Sequence, residues 1–141
     1  MSGGLRIAGY AAVFDHEDRG GDIVRRGAFA SAAPSGQPLL WQHDAARRIG
    51  TVESLIEDDR GLRVIARVDD GHAVTAGDGL SFGYRVRRSR PGRVRELIAL
   101  DLIEVSLVAH PMQPRARVIA VEPLCPARDG GAFPEGDDDG L

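Results

Sequence analysis

The chain has no lysine and no asparagine; its 18 basic residues are all arginine and stand against 21 acidic residues, for a net charge of −3. The missing residue types read as GC-rich codon usage rather than as a binding chemistry. A single cysteine, Cys125, excludes an internal disulfide and a cysteine-built zinc cluster. Aromatic residues make up only 5% of the chain, which leaves few rings on which nucleic-acid bases could stack. No apolar stretch approaches the ~20 residues of a membrane span. The first residues lack the charged-then-apolar pattern of a secretory signal. These absences together predict a cytoplasmic protein without a membrane segment.

What is present describes one folded unit. At 141 residues, with 43% apolar and 28% charged residues, the chain suits a single globular domain with a real core. The composition then changes to Pro, Gly, Ala and Asp, so residues 1–122 are read as the domain and 123–141 as a disordered tail.

Arg85, Arg87, Arg88, Arg90, Arg93 and Arg95 cluster around one turn, Ser89 to Gly92. Such a cluster can grip phosphates. Around a hairpin, and with few aromatics nearby, a solvated face is the first reading, an acidic partner surface the second and nucleic acid the third.

Periodicity predicts mainly β structure. Leu5 to Phe14 is rich in Ile, Tyr, Val and Phe, as strands are. Ile49 to Glu57 and Leu62 to Val68 flank Asp58-Asp59-Arg60-Gly61 and read as a hairpin. Leu62, Val64, Ala66 and Val68 share one face. Leu39 to Gln42 reads as a buried strand, Leu80 to Arg88 and Arg93 to Leu100 as a pair, and Ile103 to Ala109 as a strand apolar everywhere except Glu104 and Ser106. Arg117 to Val121 is a further strand. Gly27 to Ala33 is alanine-rich and predicts a short helix ending before Pro34. Many short strands with little helix make a barrel or sandwich.

Two segments carry chemistry. LLWQHD, Leu39 to Asp44, ends an apolar run on His43; GLSFGY, Gly79 to Tyr84, sets Ser81 between glycines. A neutral imidazole can take the proton of a serine hydroxyl, so the pair points to nucleophilic catalysis, with Gly79 and Gly83 letting a substrate backbone approach. Of the four histidines, His16 and His72 lie in polar, turn-like surroundings and His110 precedes Pro111, so His43, packed by Leu40 and Trp41, is the candidate base. The blander alternatives are a strand serine bonded to a neighbour and a strand-end histidine satisfied by Asp44 or water. A metal site from Asp15, His16, His43 and Asp44 lacks ligand spacing, so neither a metal nor another cofactor is expected. GLSFG also fits the G-x-S-x-G elbow, with Asp101 and His110 in the matching order. That elbow needs a helix after the serine, where this chain continues as a strand, and the match is set aside.

In the order GYAAVFD, GGDIVRRGAF, LLWQHD, IGTVESLIEDDRGL, GLSFGY and DLIEVSLVAHP, the chain from about Arg6 to Val118 resembles the prohead proteases of HK97-type tailed phages. These are similar in fold to the herpesvirus assemblins. The resemblance selects a small closed or partly open β-barrel with a few short helices. It implies a serine endopeptidase that cleaves scaffolding segments of the major capsid protein inside an assembling prohead, in the cytoplasm of a bacterial host. A homodimer is implied too, and self-cleavage of the tail is compatible with it.

Site residues follow by position. Ser81 matches the nucleophile and His43 the base. Glu104 takes the place of the assemblin histidine that supports the catalytic histidine. A carboxylate between Ile103 and Val105 is costly unless paired, and a buried ion pair with Arg85 or Arg117 is its alternative role; Asp101 and Asp44 are weaker claimants to the third position. The loop from His110 to Arg115 matches the assemblin oxyanion loop. Pro111 and Pro114 have no N–H, which singles out Met112 and Gln113. One departure stands out: His72 to Gly77 is shorter than the helix expected before the serine strand. It favours the alternative of a catalytically inactive module that binds capsid or scaffold subunits.

Overall fold

The computed structural model describes residues 4–124, and among these every regular element is a strand. In chain order these are β1 (Leu5–Val13), β2 (Asp22–Val24), β3 (Pro38–Trp41), β4 (Asp44–Glu57), β5 (Gly61–Val68), β6 (Gly79–Arg90), β7 (Arg95–Val108) and β8 (Val118–Pro123). Cys125 and the expected tail, apart from its first two residues, lie outside the described residues.

One sheet holds all eight strands, in the order β2-β7-β3-β4-β5-β1-β8 with β6 paired to β7. The long β7 is its hub. Antiparallel β6 runs along one edge of β7, while β2 and β3 pair in parallel with its two ends through Asp22↔Arg95 to Val24↔Leu97 and Leu39↔Val105 to Trp41↔Leu107. The sequence predicts two separate elements here, Arg93 to Leu100 and Ile103 to Ala109. They are one strand because Asp101 needs no turn: it pairs with Arg85 across the ladder, and register shifts near Gly83 and Arg88 let the ribbon bend without breaking.

The hairpin of β4 and β5 forms as expected, and its alternation holds: Leu62, Val64, Ala66 and Val68 are buried while Arg63 and Arg67 are exposed. They join Ile7, Leu39, Leu80, Phe82, Leu97, Leu100, Val105 and Leu107 in the core. Each of these side chains larger than alanine contributes about 1.5–3 kcal/mol by leaving water. Phe29 meets Phe82 edge to face, with ring centroids 5.1 Å apart.

Two fold expectations need correction. The first is the helix from Gly27 to Ala33, which is a run of turns closed by Ala28 N–H to Arg25 O, Ala30 N–H to Gly27 O and Ala32 N–H to Phe29 O. Glu57 takes the N–H groups of Gly27 and Phe29 at 2.8 Å each, Gly27 has φ of 92°, and Phe29 is pinned in the core. Those constraints hold the segment as turns. The second concerns closure: of the closed or partly open sheet expected, the closed form is not found. At Arg117 the incoming chain divides its bonds between Tyr10 N–H (3.2 Å) and the β6 edge, where only the bridge Gly79↔Arg117 forms. His72 to Gly77 has no helix, in keeping with its shortness.

Candidate active site

The β6–β7 ladder places Ser81 opposite Ser106 and Gly83 opposite Glu104. Alternation along a strand puts Ser81 and Gly83 on one face of β6, beside Glu104 and Ser106 of β7. The residues between them, Leu80, Phe82, Val105 and Leu107, belong to the core. The polar set therefore lies on the face away from the core. Glu104 and Ser106 are nevertheless buried, while Ser81 is partly exposed.

The turn between β3 and β4 bears His43. Trp41 pairs with Asp44, and the intervening Gln42 and His43 have φ of 55° and 61°. A two-residue hairpin of the I′ type requires positive φ at both central positions, usually met by Asn or Gly. Here neither residue is of that kind, at a cost of about 1–3 kcal/mol each. Bonds to β7 offset the strain. Gln42 N–H donates to Leu107 O at 2.9 Å, Gln42 Oε1 accepts from Ala109 N–H at 2.6 Å, and His43 N–H donates to Ser106 Oγ at 3.1 Å. His43 is thus held by its turn and by hydrogen bonds to β7. Its side chain is 42% exposed.

The imidazole Nδ1 lies 2.6 Å from Glu104 Oε2, and Ser106 Oγ donates to Glu104 Oε1 at 2.6 Å. Both carboxylate oxygens are engaged. The hydrogen bond to Glu104 raises the His43 pKa above its ordinary 6.5, against a smaller lowering by burial. With Nδ1 donating to the carboxylate, the neutral ring presents Nε2 as an acceptor. Ser81 makes no direct hydrogen bond to His43. It lies one strand spacing, about 5 Å, from Ser106, which holds the His43 backbone.

The remaining candidates have partners of their own. Glu104 makes no ion pair with Arg85 or Arg117; Arg117 donates to the carbonyls of Pro114 and Gly77. Asp44 caps Ala46 N–H, and Asp101 lies 3.7 Å from Arg87. Met112 is half exposed and its carbonyl accepts from Arg19 N–H; Gln113 is buried and its Oε1 accepts from Val13 N–H at 2.5 Å. No cluster of metal-ligating side chains occurs among the described residues.

Two residues of the site are not legible in the sequence. Ser106 and Gln42 are the anchors of the histidine turn. Gly83, expected to let a substrate backbone approach, also houses Glu104: a Cβ there would lie 2.8 Å from Glu104 Cδ and 3.1 Å from its Cγ. The signal for Ser106 was its spacing: the second polar residue of an apolar strand, two positions from Glu104, shares its face. A cleft of about 340 Å³ is lined by Trp41, Arg47, His72, Gly79, Val108 and Arg117 among others, and by none of Ser81, His43 and Glu104.

A family model described as "Caudovirus prohead serine protease" matches residues 2–125. The prohead protease of Enterobacteria phage HK97 is 29% identical over 133 residues, which cover 81% of this chain and 59% of that protein. The chain therefore spans about three fifths of that relative's length. Among solved structures, KSHV protease in complex with a hexapeptide phosphonate inhibitor aligns with a TM-score of 0.61 at 13% identity, covering 84% of this chain and 65% of that one. The protease of varicella-zoster virus aligns with a TM-score of 0.58 at 18% identity, covering 84% and 64%. These two likenesses concern the fold.

Proposed function

This chain belongs to the caudovirus prohead serine protease family, and from that premise we propose that it is a serine endopeptidase of capsid maturation with Ser81, His43 and Glu104 as its catalytic groups. The observation that carries the reading is the His43–Glu104 contact, 2.6 Å, built on the same face as Ser81 and one strand away from it.

In the proposed reaction Ser81 Oγ attacks the scissile carbonyl carbon while His43 Nε2 takes its proton. The developing imidazolium is stabilised by Glu104, which also fixes the tautomer. Collapse of the tetrahedral intermediate breaks the peptide C–N bond, and the leaving amine takes the proton back from His43. Water, activated by the same imidazole, then hydrolyses the acyl-enzyme. Backbone N–H groups of Met112 and Gln113 are the assigned oxyanion donors. The substrate is the scaffolding segment of a major capsid protein within an assembling prohead in the bacterial cytoplasm. A second copy of this chain is the other expected partner.

The absence of a direct Ser81–His43 bond favours one competing reading, an inactive module that binds capsid or scaffold subunits. Co-expression with the capsid precursor separates the two. The wild-type chain shortens the precursor and Ser81→Ala leaves it whole; a precursor left whole by wild type, yet co-purifying with it, supports the binding module.

A further inference from the structure

We propose that Ser106 is a positioning residue of this site, its single hydroxyl fixing the catalytic carboxylate and the backbone of the catalytic histidine in one arrangement. The inference rests on the proposed roles of Ser81, His43 and Glu104, and it assigns Ser106 no contact with substrate.

Ser106 has no solvent exposure and lies between Val105 and Leu107 on a strand otherwise apolar around it. A buried hydroxyl there costs free energy unless bonded, and packing alone would be served by alanine. Its hydrogen goes to Glu104 Oε1 at 2.6 Å and its oxygen accepts from His43 N–H at 3.1 Å. Both bonds therefore end on the site and none on the scaffold.

The consequence is geometric. With Oε1 occupied by Ser106, the Glu104 carboxylate cannot turn about its last bond without losing a short hydrogen bond, and Oε2 stays aimed at His43 Nδ1. The same hydroxyl tethers the histidine main chain in a turn where both Gln42 and His43 carry positive φ. Base and carboxylate thus share one anchor, which sets their separation independently of the exposed part of the imidazole ring. Ser81 stands opposite that anchor in the adjacent strand, so the nucleophile is in register with it as well.

Removing the hydroxyl deprives Glu104 Oε1 of a donor and His43 N–H of an acceptor while leaving every other residue in place. Misplacement of a catalytic group by about 1 Å costs on the order of 10²-fold in rate. The prediction for Ser106→Ala is a fall of about 10–100-fold in kcat with KM within about threefold of wild type. Ser106→Thr, which keeps the hydroxyl, recovers most of the loss.

The experiment measures kcat and KM on a peptide spanning a capsid-precursor cleavage site. In parallel, NMR follows the low-field Nδ1–H proton of His43, assigned by its loss in His43→Ala. In Ser106→Ala the resonance moves upfield and broadens, and the rising limb of the pH–rate profile shifts, whereas a purely structural serine would lower thermal stability and leave both unchanged. An unaltered resonance and an unaltered kcat in folded Ser106→Ala overturn the positioning role, provided Ser81→Ala is inactive in the same assay. Activity retained in Ser81→Ala overturns the underlying site reading instead, and the role of Ser106 falls with it.

Discussion

Glu104 faces Gly83 across the β6–β7 ladder, and its carboxylate occupies the space that any side chain at position 83 would need. A methyl group there meets Glu104 Cδ and Cγ at 2.8 and 3.1 Å and comes closer still to Oε2. Gly83→Ala must therefore push the carboxylate away from His43 or bend the ladder. Overpacking of this kind costs about 1–3 kcal/mol, and the displaced carboxylate should lower kcat by about 10²-fold. Steady-state kinetics beside a melting curve checks both, and wild-type kcat in a folded Gly83→Ala would show that Glu104 need not stay where it is.

Activity should depend on pH through His43. The ring works as a base only when neutral, and its bond with Glu104 raises its pKa above 6.5. The rising limb of kcat/KM should therefore lie above 6.5, and it should move down in Glu104→Gln, where the charge that favours imidazolium is gone. The same variant should lose on the order of 10²–10⁴-fold in kcat. Stability has its own sign: because the folded-state pKa is raised, the His43–Glu104 contribution is fully present below about 6.5 and is lost as pH rises through the folded value. Activity and this part of stability consequently run in opposite directions with pH.

Glu57 makes a separable structural prediction. Its two oxygens hold the N–H groups of Gly27 and Phe29, and Phe29 packs on Phe82, the core neighbour of Ser81. Glu57→Ala should cost about 2 kcal/mol and lower the thermal midpoint by roughly 6–10 °C. Below the new midpoint, catalysis should be nearly unchanged. A large loss of kcat in the folded variant would mean that the turn segment positions the site.

Periodicity made the strand content legible because period-two burial leaves its mark on Leu62 to Val68 and on Leu80 to Arg88 alike. Closure of the sheet was not legible, since it turns on how the backbone near Arg117 shares its hydrogen bonds between two edges. The alanine-rich segment misled for a similar reason: the Glu57 carboxylate that holds it as turns is distant in sequence. At the site, His43 and Glu104 stood out by type and position, and the structure brings them together. Gln42 and Ser106 did not, because their importance lies in main-chain bonds to a left-handed turn that no residue there announces. A glycine or asparagine at that turn would have signalled it.

The most direct measurement is intact-protein mass spectrometry after treatment with a fluorophosphonate, which phosphonylates a serine only where a base activates an accessible hydroxyl. The account predicts one adduct, mapped to Ser81, lost in His43→Ala and slowed in Glu104→Gln and Ser106→Ala, with Ser54, Ser89 and Ser106 unlabelled. An adduct on a serine other than Ser81, or undiminished labelling of Ser81 in His43→Ala, would contradict it.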